Sequence, residues 1–206
     1  MTGTVFVKNY AAPEWNRREI LRYAACREAS GETEALLEEC IRECAPVLSY
    51  KVCFARFPAE ISGEEADLGF ARIKSKALCK NLASCRETVV FAATVGLGID
   101  RLAMRYARFS PAKAFMLDAI GSERAEALCD AFNAEIKAEA ERAGGFTRPR
   151  FSPGYGDLPL ELQNDIFRVL SPEKHIGASL CESMLISPMK SVTAIIGVGA
   201  GNENKF

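Results

Sequence analysis

Histidine is almost absent from this sequence, which contains a single one, His175, in the segment SPEKHIGAS. A histidine base for a serine or cysteine nucleophile would have to be this residue, and the nucleophile-elbow motif G-x-S-x-G is missing as well. We therefore interpret His175 as an exposed or helix-capping residue. The sequence argues against nucleophilic catalysis that depends on histidine.

The chain also lacks an excess of either charge and any long apolar run. Its 26 basic and 27 acidic residues are interspersed, so neither nucleic acid nor an anionic membrane is an evident partner. The longest apolar run, VVFAATVGLGI, is too short to span a bilayer. The N-terminal segment MTGTVFVKNY does not resemble a secretory signal. We expect a globular protein that does not contact membranes.

Cysteine, in contrast, is frequent. The eight cysteines lie at positions 26, 40, 44, 53, 79, 85, 129 and 181. Most stand beside apolar residues in periodic segments, where a free thiol behaves as a small hydrophobic group. We therefore expect reduced cysteines and a cytoplasmic protein. Cys40 and Cys44 have the spacing of one helix face, and no nearby His or Cys completes a metal site. A thiol-redox protein remains an alternative.

Hydrophobic periodicity predicts a mixed fold. Helices are predicted from Pro13 towards Gly31, in ETEALLEECIRECAPVL, in SKALCKNLASC, in GIDRLAMRYARF, from Ser110-Pro111 to Gly144-Gly145, and in LPLELQNDIFRVL. Strands are predicted in SYKVCFARF, TVVFAATV and KSVTAIIGVG, and ASLCESMLISP reads as extended. Their irregular alternation favours a single α+β domain with a mostly antiparallel sheet flanked by helices. An N-terminal helical region, about residues 13–48, precedes a core of about residues 50–199.

Two segments combine glycine with a possible binding role. Gly96 and Gly98 follow a strand and precede a helix, but Arg101 stands where the third glycine of a dinucleotide-binding loop would be. A tight strand-to-helix turn is the better interpretation. The second segment is RPRFSPGYGDLP, residues 148–159, in which prolines and glycines fix and bend the backbone. Taken alone, it is either a preorganised binding loop, with Arg150 for a carboxylate and Tyr155 as an aromatic contact, or a rigid connector.

The same segment carries a family resemblance. RFSPGY, followed after one helix by HIGASLCESMLISPMKSVTAIIG, resembles the C-terminal activation domain of cobalamin-dependent methionine synthase. The positions that match are Arg150, Pro153, Gly154, Tyr155, Gly177, Leu180, Glu182, Ser183, Pro188, Ser191 and Val192. The resemblance implies a bent, mostly antiparallel sheet flanked by helices. It is loose over the first hundred residues.

The resemblance also implies a binding site for S-adenosylmethionine. It implies that Arg150 binds the carboxylate of this ligand, that the backbone of Ser152, Pro153 and Gly154 contacts it, and that Tyr155 lies near its methyl group and the corrin face. Glu182 and Ser183 are expected to line or brace the same pocket. Glu139, late in the long helix, is expected to meet the ammonium group.

The activity implied by the resemblance is reductive methylation, in which cob(II)alamin on a partner chain is reactivated. The partner would be a cobalamin-binding methionine synthase or another corrinoid protein, and the electron would come from a flavodoxin-like or other reductant. The chain departs from the family in reading GDLP after the tyrosine, where Pro-Ala-Cys-Pro is usual, and in Cys181, where threonine is usual. It contains no cobalamin-binding D-x-H-x-x-G motif. We therefore expect the activation component of a methyltransferase, or alternatively a non-catalytic adaptor that docks a corrinoid protein or senses S-adenosylmethionine.

Overall fold

A computed structural model of the chain describes residues 3–26 and 30–201. Its α-helices are α1 (Arg17–Tyr23), α2 (Gly31–Cys44), α3 (Lys76–Asn81), α4 (Gly98–Tyr106), α5 (Pro111–Arg142), α6 (Leu162–Leu170) and α7 (Pro172–Ile176), and Ala45–Val47 forms a 3-10 turn. Its strands are β1 (Phe6–Asn9), β2 (Lys51–Pro58), β3 (Glu60–Ser62), β4 (Glu65–Asp67), β5 (Arg72–Lys74), β6 (Glu87–Thr94), β7 (Gly145–Thr147), β8 (Ser179–Leu180), β9 (Ile186–Ser187) and β10 (Ser191–Ala200).

The central sheet has the strand order β1-β2-β6-β10-β7, and every neighbouring pair is antiparallel. Strands β3, β4 and β5 form a separate small sheet, and β8 pairs with β9. In β6, Phe91 opposes Phe54 of β2 on one side and Ala194 of β10 on the other. The arrangement confirms the predicted α+β fold with an antiparallel sheet.

Both faces of the central sheet are covered, which explains why its strands are almost uniformly apolar. Successive side chains of a strand point to opposite faces. Phe91 accordingly belongs to one core with residues of α1, α2, α4 and α5, whereas Val90 belongs to a second core with residues of α3, α6 and α7. The sheet is therefore the middle of three layers, except at its edge strand β1, where Phe6 and Val7 are exposed.

The predicted strands in SYKVCFARF, TVVFAATV and KSVTAIIGVG are confirmed, and so is the long helix that begins after Ser110. The first helix is shorter than predicted, because it begins at Arg17 and not at Pro13. Asn16 caps it by accepting a hydrogen bond from the backbone N–H of Glu19 at 3.2 Å. Residues 27–29, in the last part of that predicted helix, lie outside the described residues. Strand β1 and the small sheet were not predicted.

A buried ion pair in α5 holds the segment before α1. Arg124 is fully buried and pairs with the adjacent Glu123, which is also buried. The guanidinium donates to the carbonyl oxygens of Pro13 and Glu14, at 2.6 and 2.7 Å, and lies 4.2 Å from the Trp15 ring centroid. These contacts satisfy a charge that would be costly to bury alone. They also explain why the residues around Pro13 do not start the helix.

We predict that Arg124→Ala lowers the free energy of unfolding by about 3–5 kcal/mol, because it leaves the Glu123 carboxylate buried without its partner. Chemical denaturation measures the loss. The control is Arg101→Ala on the exposed side of α4, which should change stability by less than about 0.5 kcal/mol. The double variant Glu123→Gln, Arg124→Met should lose less than Arg124→Ala alone. Equal stability of Arg124→Ala and the native chain would refute this account of the pair.

Candidate functional site

The segment that follows β7 continues along the edge of the central sheet and pairs with β10. The backbone N–H of Arg148 donates to the carbonyl oxygen of Gly197 at 2.9 Å, and Phe151 exchanges two backbone hydrogen bonds with Ile195, at 2.8 and 2.9 Å. Because side chains alternate along an extended segment, Phe151 packs against the core of α3 and α6, and Arg150 turns to the opposite face, towards α5. The sheet edge thus fixes the direction of the Arg150 side chain.

Arg150 forms ion pairs with two acidic residues of α5. Its guanidinium contacts the Glu126 carboxylate and lies 2.6 Å from Oδ1 of Asp130. The Arg150 side chain retains 22% of its exposure. Its partial burial disfavours the charged form, but the hydrogen bond to Asp130 and the charges of both acids outweigh this and raise the pKa of Arg150. The guanidinium is therefore a fixed positive charge.

An open cleft of about 670 Å³ lies beside this cluster, within the size range of small-molecule sites. Its walls come from α5, the proline-glycine segment, α6 and the start of β10. The lining residues are Glu126, Asn133, Pro149, Arg150, Phe151, Ser152, Pro153, Tyr155, Gln163, Ile186, Ser191, Val192 and Thr193. A second cleft of about 620 Å³ shares Asn133, Pro149 and Arg150 with the first and continues towards Lys137. Arg150 therefore stands where two clefts meet.

Two amide side chains of the cleft have an unused hydrogen-bonding group. Within residues 3–26 and 30–201, neither Oδ1 of Asn133 nor Oε1 of Gln163 has a hydrogen-bond partner, and both atoms are screened from solvent. Buried polar atoms without partners are uncommon in folded proteins and cost about 1–3 kcal/mol each. A ligand that hydrogen-bonds to these side chains would remove that cost.

The sequence Pro-Gly-Tyr forms a tight turn at the rim of the cleft. Gly154 has φ of +87°, a backbone conformation that favours glycine, and its N–H donates to the carbonyl oxygen of Leu158 at 2.9 Å. The Tyr155 N–H donates to the carbonyl oxygen of Ser152 at 3.2 Å. The Tyr155 side chain is 69% exposed, so its ring lies open at the rim.

The sequence GDLP, where the family resemblance is weakest, attaches this turn to α3. The Asp157 carboxylate accepts hydrogen bonds from the Ser75 hydroxyl and from the backbone N–H groups of Lys76 and Ala77, at 2.8 and 3.1 Å for the last two. The hydrogen bond from Ser75 and those from the backbone lower the pKa of Asp157. Asp157 therefore acts as a cap for α3 and as an anchor for the turn.

We predict that Asp157→Ala increases hydrogen exchange at residues 154–158 and 76–78, while exchange in β6 stays unchanged, because only the anchor is lost. Hydrogen–deuterium exchange with mass spectrometry measures both regions. The pKa of Asp157 is lowered from its ordinary value of 3.8. The stabilisation that its carboxylate provides should therefore be fully present when the pH is above about 3.8, and should be lost only as the pH falls below that value. Unchanged exchange at residues 154–158 in the variant would contradict the anchoring role.

Four of the predicted site residues are not among those that line the cleft, namely Gly154, Glu139, Glu182 and Ser183. Glu182 and Ser183 occupy the exposed turn between β8 and β9, whereas Ile186 of the same hairpin lines the cleft. Glu139 is not brought into the cleft, and its carboxylate lies 2.8 Å from the guanidinium of Arg56 on β2. The acidic residues that pair with Arg150 are instead Glu126 and Asp130, in earlier turns of α5. The sequence did not predict either of them.

A second loop that borders the cleft is attached to α4 and α5. The Asp100 carboxylate is buried and accepts a hydrogen bond from the backbone N–H of Met189 at 2.7 Å. Lys190 lies 2.7 Å from Oδ1 of Asp118 and donates to the Ser122 hydroxyl at 3.0 Å. Burial raises the pKa of Asp100. These bonds position the chain between β9 and β10, from which Ser191 and Val192 enter the cleft.

The glycines at 96 and 98 form the predicted tight turn. Gly96 has φ of +84°, and a side chain at Gly98 would have its Cβ only 2.3 Å from the carbonyl oxygen of Val47. Gly96 is therefore favoured by its backbone conformation, and Gly98 by its packing against the preceding turn. Among the described residues, no helix is both long and apolar enough to cross a membrane.

The described cysteines are free thiols, and most of them are buried. Burial raises the pKa of Cys40 to about 11 and that of Cys44, Cys53 and Cys129 to about 12. Cys181, in the turn after β8, is exposed, and Cys26 is half-buried. Thiols with raised pKa values are poor nucleophiles. The interpretation of the cysteines as core residues therefore fits their positions.

We predict that an aromatic disulfide reagent at neutral pH reacts quickly with Cys181 in the folded protein and with the buried cysteines only after unfolding. Thiol titration with and without denaturant measures this difference. Cys181→Ser should remove the fast reaction and leave the slow ones, whereas Cys53→Ser should keep the fast reaction and remove one of the slow ones. Several fast-reacting thiols in the Cys181→Ser variant would favour the thiol-redox alternative.

The fold and the cleft define an α+β domain with an open polar site beside a Pro-Gly-Tyr turn. Residues 72–204, about two thirds of the chain, match the family described as vitamin B12 dependent methionine synthase, activation domain. The chain therefore belongs to the activation-domain family of vitamin B12-dependent methionine synthase. A search of curated proteins finds no match.

A solved structure supports the same fold. The crystal structure described as the MetH reactivation domain bound to AdoHcy superposes with a TM-score of 0.66 and covers 98% of this chain and 80% of its own chain, at 17% sequence identity. At this level of identity the likeness establishes the architecture alone. It confirms the methionine synthase activation domain-like fold that the sequence predicts.

Proposed function

We propose that the chain binds S-adenosylmethionine in the Arg150 cleft and supports reductive methylation of cob(II)alamin carried by a partner protein. The observation that carries the proposal is the position of Arg150, beside two carboxylates and next to the Pro-Gly-Tyr turn at the mouth of an open cleft. Family membership and the likeness to a domain whose structure contains AdoHcy support the same ligand class.

The charges of the cluster complement the amino-acid end of the ligand, which carries a carboxylate and an ammonium group. A guanidinium has five N–H donors, and the hydrogen bonds to Glu126 and Asp130 use two of them. Arg150 can therefore bind the ligand carboxylate with its remaining donors. Glu126 and Asp130 then take the role of binding the ammonium group that the sequence had suggested for Glu139.

In this proposal the protein only has to position S-adenosylmethionine relative to the corrinoid. The sulfonium methyl of S-adenosylmethionine is electrophilic and the reduced corrinoid of the partner is the nucleophile, so methyl transfer needs no protein acid or base. Ser152, Pro153 and Gly154 would hold the ligand through their backbone, and Tyr155 would lie near the methyl group and the corrin face. Alignment of two reactants by a rigid site can lower a barrier substantially.

The proposal includes a cytoplasmic setting in which a cobalamin-binding methionine synthase or a related corrinoid protein is the partner and a flavodoxin-like or other reductant supplies the electron. Glu182 and Ser183, in the exposed turn near the cleft, would brace the site or contact the partner. The alternative function is an adaptor that docks a corrinoid protein or senses S-adenosylmethionine without methyl transfer. Both functions use the Arg150 cleft, but only the first moves the methyl group.

We predict that Arg150→Ala weakens S-adenosylmethionine binding about 10- to 100-fold, as expected for hydrogen bonds to a charged group. Isothermal titration calorimetry measures the affinity. Arg150→Lys keeps the charge but loses the planar arrangement of donors, so its affinity should lie between that of the native chain and that of Arg150→Ala.

The matched control is Arg142→Ala, near the end of α5 and outside both clefts, which should bind S-adenosylmethionine like the native chain. Circular dichroism and thermal unfolding establish that each variant is folded. Equal affinity of Arg150→Ala and the native chain would show that the ligand does not use this cleft.

A further inference from the structure

Gln163 is a buried amide side chain of the cleft that has no assigned role. It lies in the first turn of α6, keeps 7% of its exposure, and lines the cleft. Its Oε1 accepts no hydrogen bond from the described part of the chain. The amide torsion at the end of a glutamine side chain is soft, so rotation about it can present either the oxygen or the NH₂ group to a ligand.

The part of the cleft around Gln163 has a character different from that of the charged end. Three residues, Asn133, Pro149 and Arg150, line both this cleft and the adjoining one. Gln163 lies in the remainder of the first cleft, away from that shared end. Apart from Glu126, which pairs with Arg150, that remainder presents apolar side chains and one exposed aromatic ring, together with short hydroxyl groups. Its apolar and aromatic members are Phe151, Pro153, Tyr155, Ile186 and Val192. A planar heteroaromatic ring fits such surroundings, since its faces need apolar contacts and its edge needs hydrogen bonds.

We propose that Gln163 recognises the adenine edge of the bound nucleoside, with its amide oxygen accepting from the exocyclic amine and its NH₂ group donating to N7. A carboxamide offers one acceptor and two donors in one plane, which matches adenine in a two-bond arrangement. This inference rests on the proposed function, because it presupposes that an adenosyl ligand occupies the cleft. It adds the residue that selects the base.

The unused oxygen gives Gln163 a signature that a structural residue would not have. A buried amide that merely supported the fold would be hydrogen-bonded, and its replacement would lower stability. Here the oxygen has no partner within residues 3–26 and 30–201, so Gln163→Leu, of similar volume, should leave the melting temperature unchanged or raise it. Loss of affinity without loss of stability is the pattern expected of a binding residue.

The experiment compares S-adenosylhomocysteine with S-inosylhomocysteine by calorimetry, using the native chain and Gln163→Leu. Inosine carries a carbonyl oxygen where adenine carries the amine, so this carbonyl and N7 are both acceptors, and the Gln163 oxygen has no donor opposite it whichever way the amide is turned. We expect the native chain to prefer the adenosyl ligand by about 10-fold or more, in line with discrimination by a two-bond amide contact. Gln163→Leu should bind the adenosyl ligand about 10-fold more weakly and keep less than about a twofold preference.

The control is Asn164→Leu, which removes an exposed amide from the adjacent position of the same helix and should retain both the affinity and the preference. A native chain that binds the two ligands equally, or a Gln163→Leu variant that keeps the preference, would overturn the role of Gln163 while leaving the proposed function intact. A native chain that binds neither S-adenosylmethionine nor S-adenosylhomocysteine would overturn both.

Discussion

The ion pairs that join Arg150 to Glu126 and Asp130 are the interaction on which the rest of the site depends. They fasten the edge of the sheet to α5, and the cleft lies along this junction. The same helix holds two other distant parts of the chain, through Arg124 before α1 and through Asp118, which binds the loop after β9. Charged groups spaced along one long helix therefore set the relative positions of segments that are far apart in sequence.

This arrangement suits a protein that positions reactants and does not itself act as an acid or base. Arg150 remains charged because its carboxylate partners raise its pKa, and the single histidine lies in α7, outside the cleft lining. The Pro-Gly-Tyr turn is anchored at Asp157, and Tyr155 is left exposed at the rim. A rigid, polar cleft with an open aromatic edge can hold a small ligand while a second, larger reactant approaches from solvent.

Much of the fold could be predicted from the sequence because its strands are strongly apolar and because Ser110-Pro111 and Gly144-Gly145 mark the ends of α5. The segment that lines the cleft could be singled out because Arg150 and Tyr155 stand in an ordered motif. Glu126 and Asp130, the acidic residues that contact Arg150, could not be predicted. Helix α5 carries acidic residues on several faces, and only the packing of the chain brings these two to the sheet edge. Gln163 could not be predicted either, because an amide in an amphipathic helix is ordinary. Only the structure reveals that its oxygen is buried and has no partner in the part of the chain that is described.

The most direct test of the account is transfer of a labelled methyl group. The protein is mixed with a cob(II)alamin-loaded corrinoid partner, a one-electron reductant and S-adenosylmethionine that carries a deuterated methyl group, and the corrinoid is analysed by mass spectrometry. The account predicts deuterated methylcobalamin with the native chain and much less of it with Arg150→Ala. Binding of S-adenosylmethionine without label on the corrinoid, from any partner that forms a complex with the chain, would contradict methyl transfer and leave the adaptor function.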